Sequence, residues 1–166
     1  MNTTLFFLRS SEQKIAHNMF PYALSMDSNT DIYTIAYGLK NTDLGVYSLT
    51  NNIVSGAAWI RLFNESHCAA AYVDNVTPVL ILGILPDMRG NGIGTLIMNQ
   101  LLQEAAVIYD QISVLSNKDS KNFYQKLDFF SLDDSDSKDV FIMVKQLEKK
   151  AVVRPTDGYD PRRWMD

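Results

Sequence analysis

The chain has 166 residues, 46% hydrophobic and 20% charged, with 15 Lys and Arg against 19 Asp and Glu, for a net charge of −4. That is one domain's worth of chain with enough apolar residues for a core. It argues against wholesale disorder and, with so few cations, against general nucleic-acid binding, leaving room only for a local basic patch. The single cysteine, Cys68, excludes a disulfide framework and points to a reducing cytoplasm. The apolar stretch Thr3 to Leu8 is too short for a signal peptide, and no run approaches the roughly eighteen apolar residues of a membrane span.

In chain order, Leu5 to Arg9 reads as a first strand. Ser10 with Gln13 looks like a capping box that opens a helix to about Ala23, with Ile15, Met19 and Tyr22 facing the core. Ser25 to Leu44 carries no clean period and is read as containing a short helix. Gly45 to Leu49 and Ile53 to Phe63 form a β-hairpin about Asn51-Asn52, a pair that tolerates positive φ. Cys68 to Val73 is expected to pair on, Pro78 ends the connection, and Val79 to Leu85 is a strand buried on both faces. A helix over Ile93 to Tyr109 turns Ile93, Leu96, Ile97, Leu101, Ala105 and Ile108 to one side. Ile112 to Leu115, Phe129-Phe130 and Val140 to Leu147 complete a mostly antiparallel sheet. Residues 1–147 form one domain and 148–166 a tail. The tail reads either as a partly disordered terminus or, since Tyr159 and Trp164 offer apolar area, as a segment docked on the domain itself or on a second subunit, which would be a homodimer.

The informative segment joins the strand Val79 to Leu85 to the helix that follows. Its turn reads Arg89-Gly90-Asn91-Gly92-Ile93-Gly94-Thr95. Glycines let backbone N–H groups turn inward with no Cβ in the way, and the fresh helix N-terminus adds about half a positive charge, which makes an anion cradle. Competing phosphate loops fail on spacing. A Walker A loop needs Gly-Lys then Ser or Thr, and no lysine follows Gly92; a dinucleotide fingerprint needs a third small residue where Thr95 stands.

Arg-x-x-Gly-x-Gly at Arg89 to Gly94 resembles the acetyl-CoA pyrophosphate loop of the GNAT superfamily of N-acetyltransferases. Downstream, Asn117, Tyr124 and Phe129 stand where that family has an Asn, a Tyr seven residues on and the Phe of a Gly-Phe pair. Asp128 replaces the Gly, at a helix C-terminus that favours a left-handed residue. The resemblance implies an α/β (α+β) fold, a mixed, mostly antiparallel central sheet of about seven strands flanked by about four helices. It implies acetyl-CoA as co-substrate, held by Ile84, Leu85, Arg89, Gly90, Asn91, Gly92, Ile93, Gly94, Thr95, Asn117 and Tyr124. The backbone N–H groups of Leu85, Gly90, Gly92 and Gly94 would face the phosphates. It also implies that Ser25 to Leu44 shapes the acceptor pocket.

The chemistry then follows. An amine attacking a thioester carbonyl must lose a proton, and the expelled thiolate, of pKa about 8.5, can take one from a Tyr hydroxyl. Tyr124 matches the Tyr that serves this role in the family. Many relatives carry a Glu base after a Thr-Pro pair, but Val79 follows Thr77-Pro78 here, so Asp74, Glu65 and a bound water are the open choices. The expected acceptor is a primary amine of a small molecule or amino acid. A protein or aminoacyl-tRNA acceptor, and a non-catalytic acyl-CoA-binding domain, are the alternatives. No metal is expected. His17, His67 and Cys68 lack zinc spacing, and the run Asp133, Asp134, Asp136, Asp139 lacks the Gly and Glu of a calcium loop.

Overall fold

The computed structural model describes residues 2–23, 31–34, 37–38, 40, 42–66, 69–132 and 139–155. His67, Cys68, Asp133, Asp134, Asp136, Tyr159 and Trp164 lie outside these, as does much of Ser25 to Leu44.

The strands are β1 (Thr3–Phe7), β2 (Leu44–Thr50), β3 (Ile53–Arg61), β4 (Val79–Ile84), β5 (Gln111–Asn117), β6 (Phe130–Ser131) and β7 (Val140–Gln146). They form one seven-stranded sheet in the order β1-β2-β3-β4-β5-β7-β6. All neighbours are antiparallel except β4 and β5. The helices are α1 (Gln13–Met19), α2 (Asp31–Thr34), α3 (Ile93–Ile108) and α4 (Lys118–Lys126). This is the expected mixed architecture. At the β2–β3 hairpin Asn51 and Asn52 both take positive φ, 52° and 68°, as the right-handed strand twist requires of a two-residue turn. Among the described residues no helix is long and apolar enough to cross a membrane.

Each face of the sheet carries its own apolar cluster. One gathers α3 and α4 residues such as Ile97, Leu101 and Tyr124 over Leu80 and Val114. The other gathers Ala16, Met19, Phe20 and Tyr33 over Trp59 and Ile81. On α3, Ile93, Ile97, Leu101 and Ala105 are buried as read. Leu96 and Ile108 are not, at 42% and 43% exposed: the buried stripe takes in Met98 on the flank opposite Leu96, and Ile108 lies in the last turn.

Three expectations are corrected. The first strand ends at Phe7, since the Arg9 N–H donates to Glu12 Oε1 (3.0 Å) and starts the helical turn one residue before the Ser10/Gln13 box. The helix does not run to Ala23. Pro21 has no N–H to continue it, so a 3₁₀ turn, Phe20–Tyr22, replaces the last turns. Phe20 enters the core, whereas Tyr22 is 39% exposed. Residues 69–73 are a loop rather than a strand, because β3 already has β2 and β4 as neighbours and offers no edge.

The chain also stays with the domain past Leu147. Lys149 Nζ donates to the carbonyls of Ala106 and Tyr109 at the end of α3, where a cation suits the helix dipole. The Val153 N–H donates to Gln103 Oε1 (2.8 Å), and Arg154 makes a bidentate pair, 2.9 and 2.8 Å, with the buried carboxylate of Glu104. Arg154→Gln should therefore destabilise the fold by about 1–3 kcal/mol, because Glu104 loses its charged partner while staying buried. A thermal melt lowered by several degrees is the expected reading, at about 2–4 °C per kcal/mol.

Candidate active site

Parallel strands β4 and β5 are joined only at Val79↔Ser113 and Leu80↔Val114. Beyond these pairs they part, and a groove of about 510 Å³ opens between them. Leu80, Leu82 and Ile84 of β4 line one side, Val114, Leu115 and Asn117 of β5 the other, with Phe123 and Tyr124 of α4 beside them. The slot is thus apolar along its length and polar at one end.

That polar end is the glycine loop. Gly90 and Gly92 have φ of +81° and +79°, and a Cβ built on either meets nothing within 4 Å, so the backbone is open toward the groove. Gly92 is the N-cap of α3; its carbonyl accepts from the Leu96 N–H (3.0 Å), and no side chain caps the helix. The first-turn N–H groups of Ile93, Gly94 and Thr95 therefore have no intrahelical acceptor and carry the positive end of the dipole. A Cβ on Gly94 would come 3.3 Å from the Phe123 ring, so Gly94 lets α3 approach α4 across the slot.

Most of the sequence-predicted residues meet here: Ile84, Arg89, Gly90, Gly92, Ile93, Gly94, Thr95, Asn117 and Tyr124 all line the groove. Leu85 and Asn91 do not. The Leu85 N–H is taken by Ser55 O (2.9 Å) across to β3, so it is not free for a phosphate. Asn91 Nδ2 turns back onto the carbonyls of Met88 (3.1 Å) and Arg89 (3.3 Å), stiffening the loop from behind. Arg89 also works on backbone: Nε donates to Ile84 O and Nη2 to Tyr22 O, both at 3.3 Å.

Sequence reasoning missed Tyr22, Asp119 and Ser120, which also line the groove. Pro21 was the signal for Tyr22, since a helix broken there swings the next side chain off the core face. The other two belong to the start of α4, where Asn117 Oδ1 accepts from the Ser120 N–H (2.8 Å) and Ser120 Oγ accepts from the Asn117 N–H (3.2 Å).

The other end of α4 fixes Tyr124. Asp128 takes φ +67°, the Asp128 N–H donates to Gln125 O and the Phe129 N–H to Tyr124 O, both 3.0 Å, which is a Schellman closure. The Phe129 ring packs edge-on against Tyr124 at 5.4 Å, and the neighbouring Phe123 ring does so at 5.1 Å. Tyr124 is 5% exposed, and no hydrogen bond of its hydroxyl is found among the described residues. Burial pushes its phenol well above the ordinary value, so it stays protonated at all physiological pH.

Neither carboxylate considered as base reaches the groove. Asp74 lies in a separate cleft with Thr77 and Gln111, at the opposite ends of β4 and β5, where its Oδ1 accepts from the Val76 N–H (2.9 Å). Glu65 is exposed in the turn after β3, whose last residue pairs with the first of β4.

The acetyltransferase (GNAT) domain profile matches residues 41–130, more than half of the chain, and the chain belongs to this family. Among solved structures, yncA from Salmonella typhimurium with its cofactor acetyl-CoA superposes with a TM-score of 0.67 at 17% identity, over 93% of this chain and 99% of that one. The ribosomal-protein-S18-alanine N-acetyltransferase of Escherichia coli gives 0.62 at 12% identity, over 94% and 98%. Arabidopsis thaliana Naa50, in complex with the bisubstrate analogue CoA-Ac-MVNAL, gives 0.61 at 20%, over 89% and 100%. At these identities the likeness is one of fold. No curated protein matches by sequence.

Burial raises the phenols of Tyr37 and Tyr124 well above 10 and that of Tyr109 to about 12. The folded chain then keeps protons that the unfolded chain releases near pH 10, so this contribution is constant below pH 10 and lost as pH rises above it. Denaturant melts between pH 9 and 11.5 should show stability falling more steeply in the wild type than in Tyr124→Phe, by about 1.4 kcal/mol per pH unit. Equal slopes would contradict the burial of the hydroxyl.

Proposed function

We propose that the chain transfers an acetyl group from acetyl-CoA to a primary amine of a small molecule or amino acid, by direct attack. The observation that supports it best is one continuous slot with a helix N-terminus that no side chain caps at one end and, along its wall, a buried Tyr124 whose hydroxyl has no hydrogen-bond partner among the described residues. The glycine loop and the first-turn N–H groups of α3 suit a pyrophosphate. The pantetheine arm, with a backbone as long as about four peptide residues, spans roughly 14 Å extended, close to the four strand steps from Ile84 back to Leu80. The co-substrate brings the activated acyl carbon as a thioester.

The chain's own contribution is position and one proton. Holding amine and thioester in line supplies several kcal/mol without covalent participation. As the amine nitrogen bonds to the carbonyl carbon, the C–S bond breaks and the thiolate takes a proton from Tyr124, which recovers it from solvent. The amine gives up its proton to water, since neither Asp74 nor Glu65 lines the slot. Protein N-terminal amines are the second reading, favoured by the likeness to a ribosomal-protein acetyltransferase and to a structure holding a peptide bisubstrate analogue. The net charge of −4 weighs against tRNA.

Each phosphate bond from the loop should contribute about 1.5–3 kcal/mol, so a side chain in the cradle is severe. Gly92→Glu should abolish acetyl-CoA binding by calorimetry; unchanged affinity in the folded variant would refute the site. Tyr124→Phe should bind acetyl-CoA normally and turn over about 10²–10⁴ times more slowly on whichever amine of a panel releases free thiol. Equal kcat/KM for both proteins from pH 6 to 10 would remove Tyr124 as the acid.

A further inference from the structure

We propose that Arg89 is a positioning residue that ties the cofactor loop to the wall beside which the amine arrives, so that acyl-CoA binding is felt at Tyr22. The inference rests on the acyl-CoA reading of the groove and extends it to the other substrate's side. The slot is lined from both faces of the sheet: Ile93 and Tyr124 belong to the cluster under α3, whereas Leu115 belongs to the cluster under α1. With the phosphate cradle at the head of α3, the α1 face is left for the amine. Tyr22 stands there, on a turn whose Phe20 is buried in the α1-side cluster.

Two contacts bring that turn to the gap. A Cβ on Gly83 would fall 2.5 Å from Met19 O, so the bare glycine is what lets the end of α1 rest directly on β4. Arg89 then reaches across, with Nε on Ile84 O at the end of β4 and Nη2 on Tyr22 O, both at 3.3 Å. Arg89 is exposed, so water competes for both bonds, and the guanidinium is held only as firmly as the loop that carries it. That loop contains Gly90 and Gly92 at positive φ, residues with much backbone freedom to lose. An anion that orders the glycines orders Arg89 with them, and the Tyr22 carbonyl gains a firmer partner without any large movement. Ordering shared between two sites is a coupling free energy, and hydrogen exchange observes it.

Amide hydrogen exchange of the full chain, with and without acetyl-CoA, tests this. In the wild type acetyl-CoA should slow exchange at residues 93–95 and also, by about tenfold, at Tyr22 and Ala23, whose N–H donates to Phe20 O. In Arg89→Met the slowing at 93–95 should persist and that at Tyr22 and Ala23 should vanish. Arg89→Lys keeps the charge but lacks the fork that spans two carbonyls, and should behave like the Met variant at Tyr22 and Ala23. Protection at 93–95 with none at Tyr22 and Ala23 in the wild type would overturn the proposal, as would full slowing there in Arg89→Met. No protection at 93–95 in the wild type would overturn the acyl-CoA reading itself.

Discussion

The parting of β4 from β5 is the constraint on which the rest of this structure depends. Two residue pairs hold the strands together and then the ladder stops, although both strands continue, to Ile84 and to Asn117. Backbone groups facing the gap have no strand partner there, and an unmade backbone hydrogen bond that is shielded from water costs about 1–3 kcal/mol. A sheet opened this way is stable where water or a ligand completes it. A ligand with amides along its length and an anion at one end matches the apolar walls and the glycine loop together.

Around that gap the chain spends its specialised residues on holding still the groups that face it. Tyr124 is fixed from both ends of α4, by the Asn117–Ser120 cap before it and the left-handed Asp128 after it. Its ring packs against those of Phe123 and Phe129, and the side chain as a whole is buried. The glycine-loop end is treated alike: Asn91 and Arg89 spend their side chains on loop and turn carbonyls, while backbone N–H groups and the dipole of α3 stand at the head of the groove. The groups at both ends of the slot are thereby ones whose position the backbone dictates.

The sequence carried this part of the fold in legible form because local rules suffice for it. Glycines at Gly90 and Gly92, a 3.6-residue period from Ile93, and the spacing from Asn117 to Phe129 each specify backbone by themselves, and Asp128 adopts the left-handed conformation expected of it. Where the outcome depended on partners distant in sequence, reading failed. Nothing near Leu85 says that its N–H belongs to Ser55, and nothing in 69–73 says that β3 has no free edge. Tyr22 could have been read, because Pro21 forbids the helix that would have carried it into the core. The carboxylates at Asp74 and Glu65 were plausible by chain proximity to Val79, but Asp74 sits in a cleft at the closed end of the strands and neither residue lines the groove at the open one.

The most direct measurement is an amide NMR titration with acetyl-CoA, because it reads both edges of the gap and its polar end at once. The account predicts shifts at Gly90, Gly92 and Ile93 to Thr95, at Ile81 to Ile84 along β4, and at Leu115 to Asn117 along β5, all with one saturation midpoint. Shifts gathered instead around Asp74, Thr77 and Gln111, or confined to the glycine loop with both strand edges silent, would contradict a ligand lying in the parted sheet.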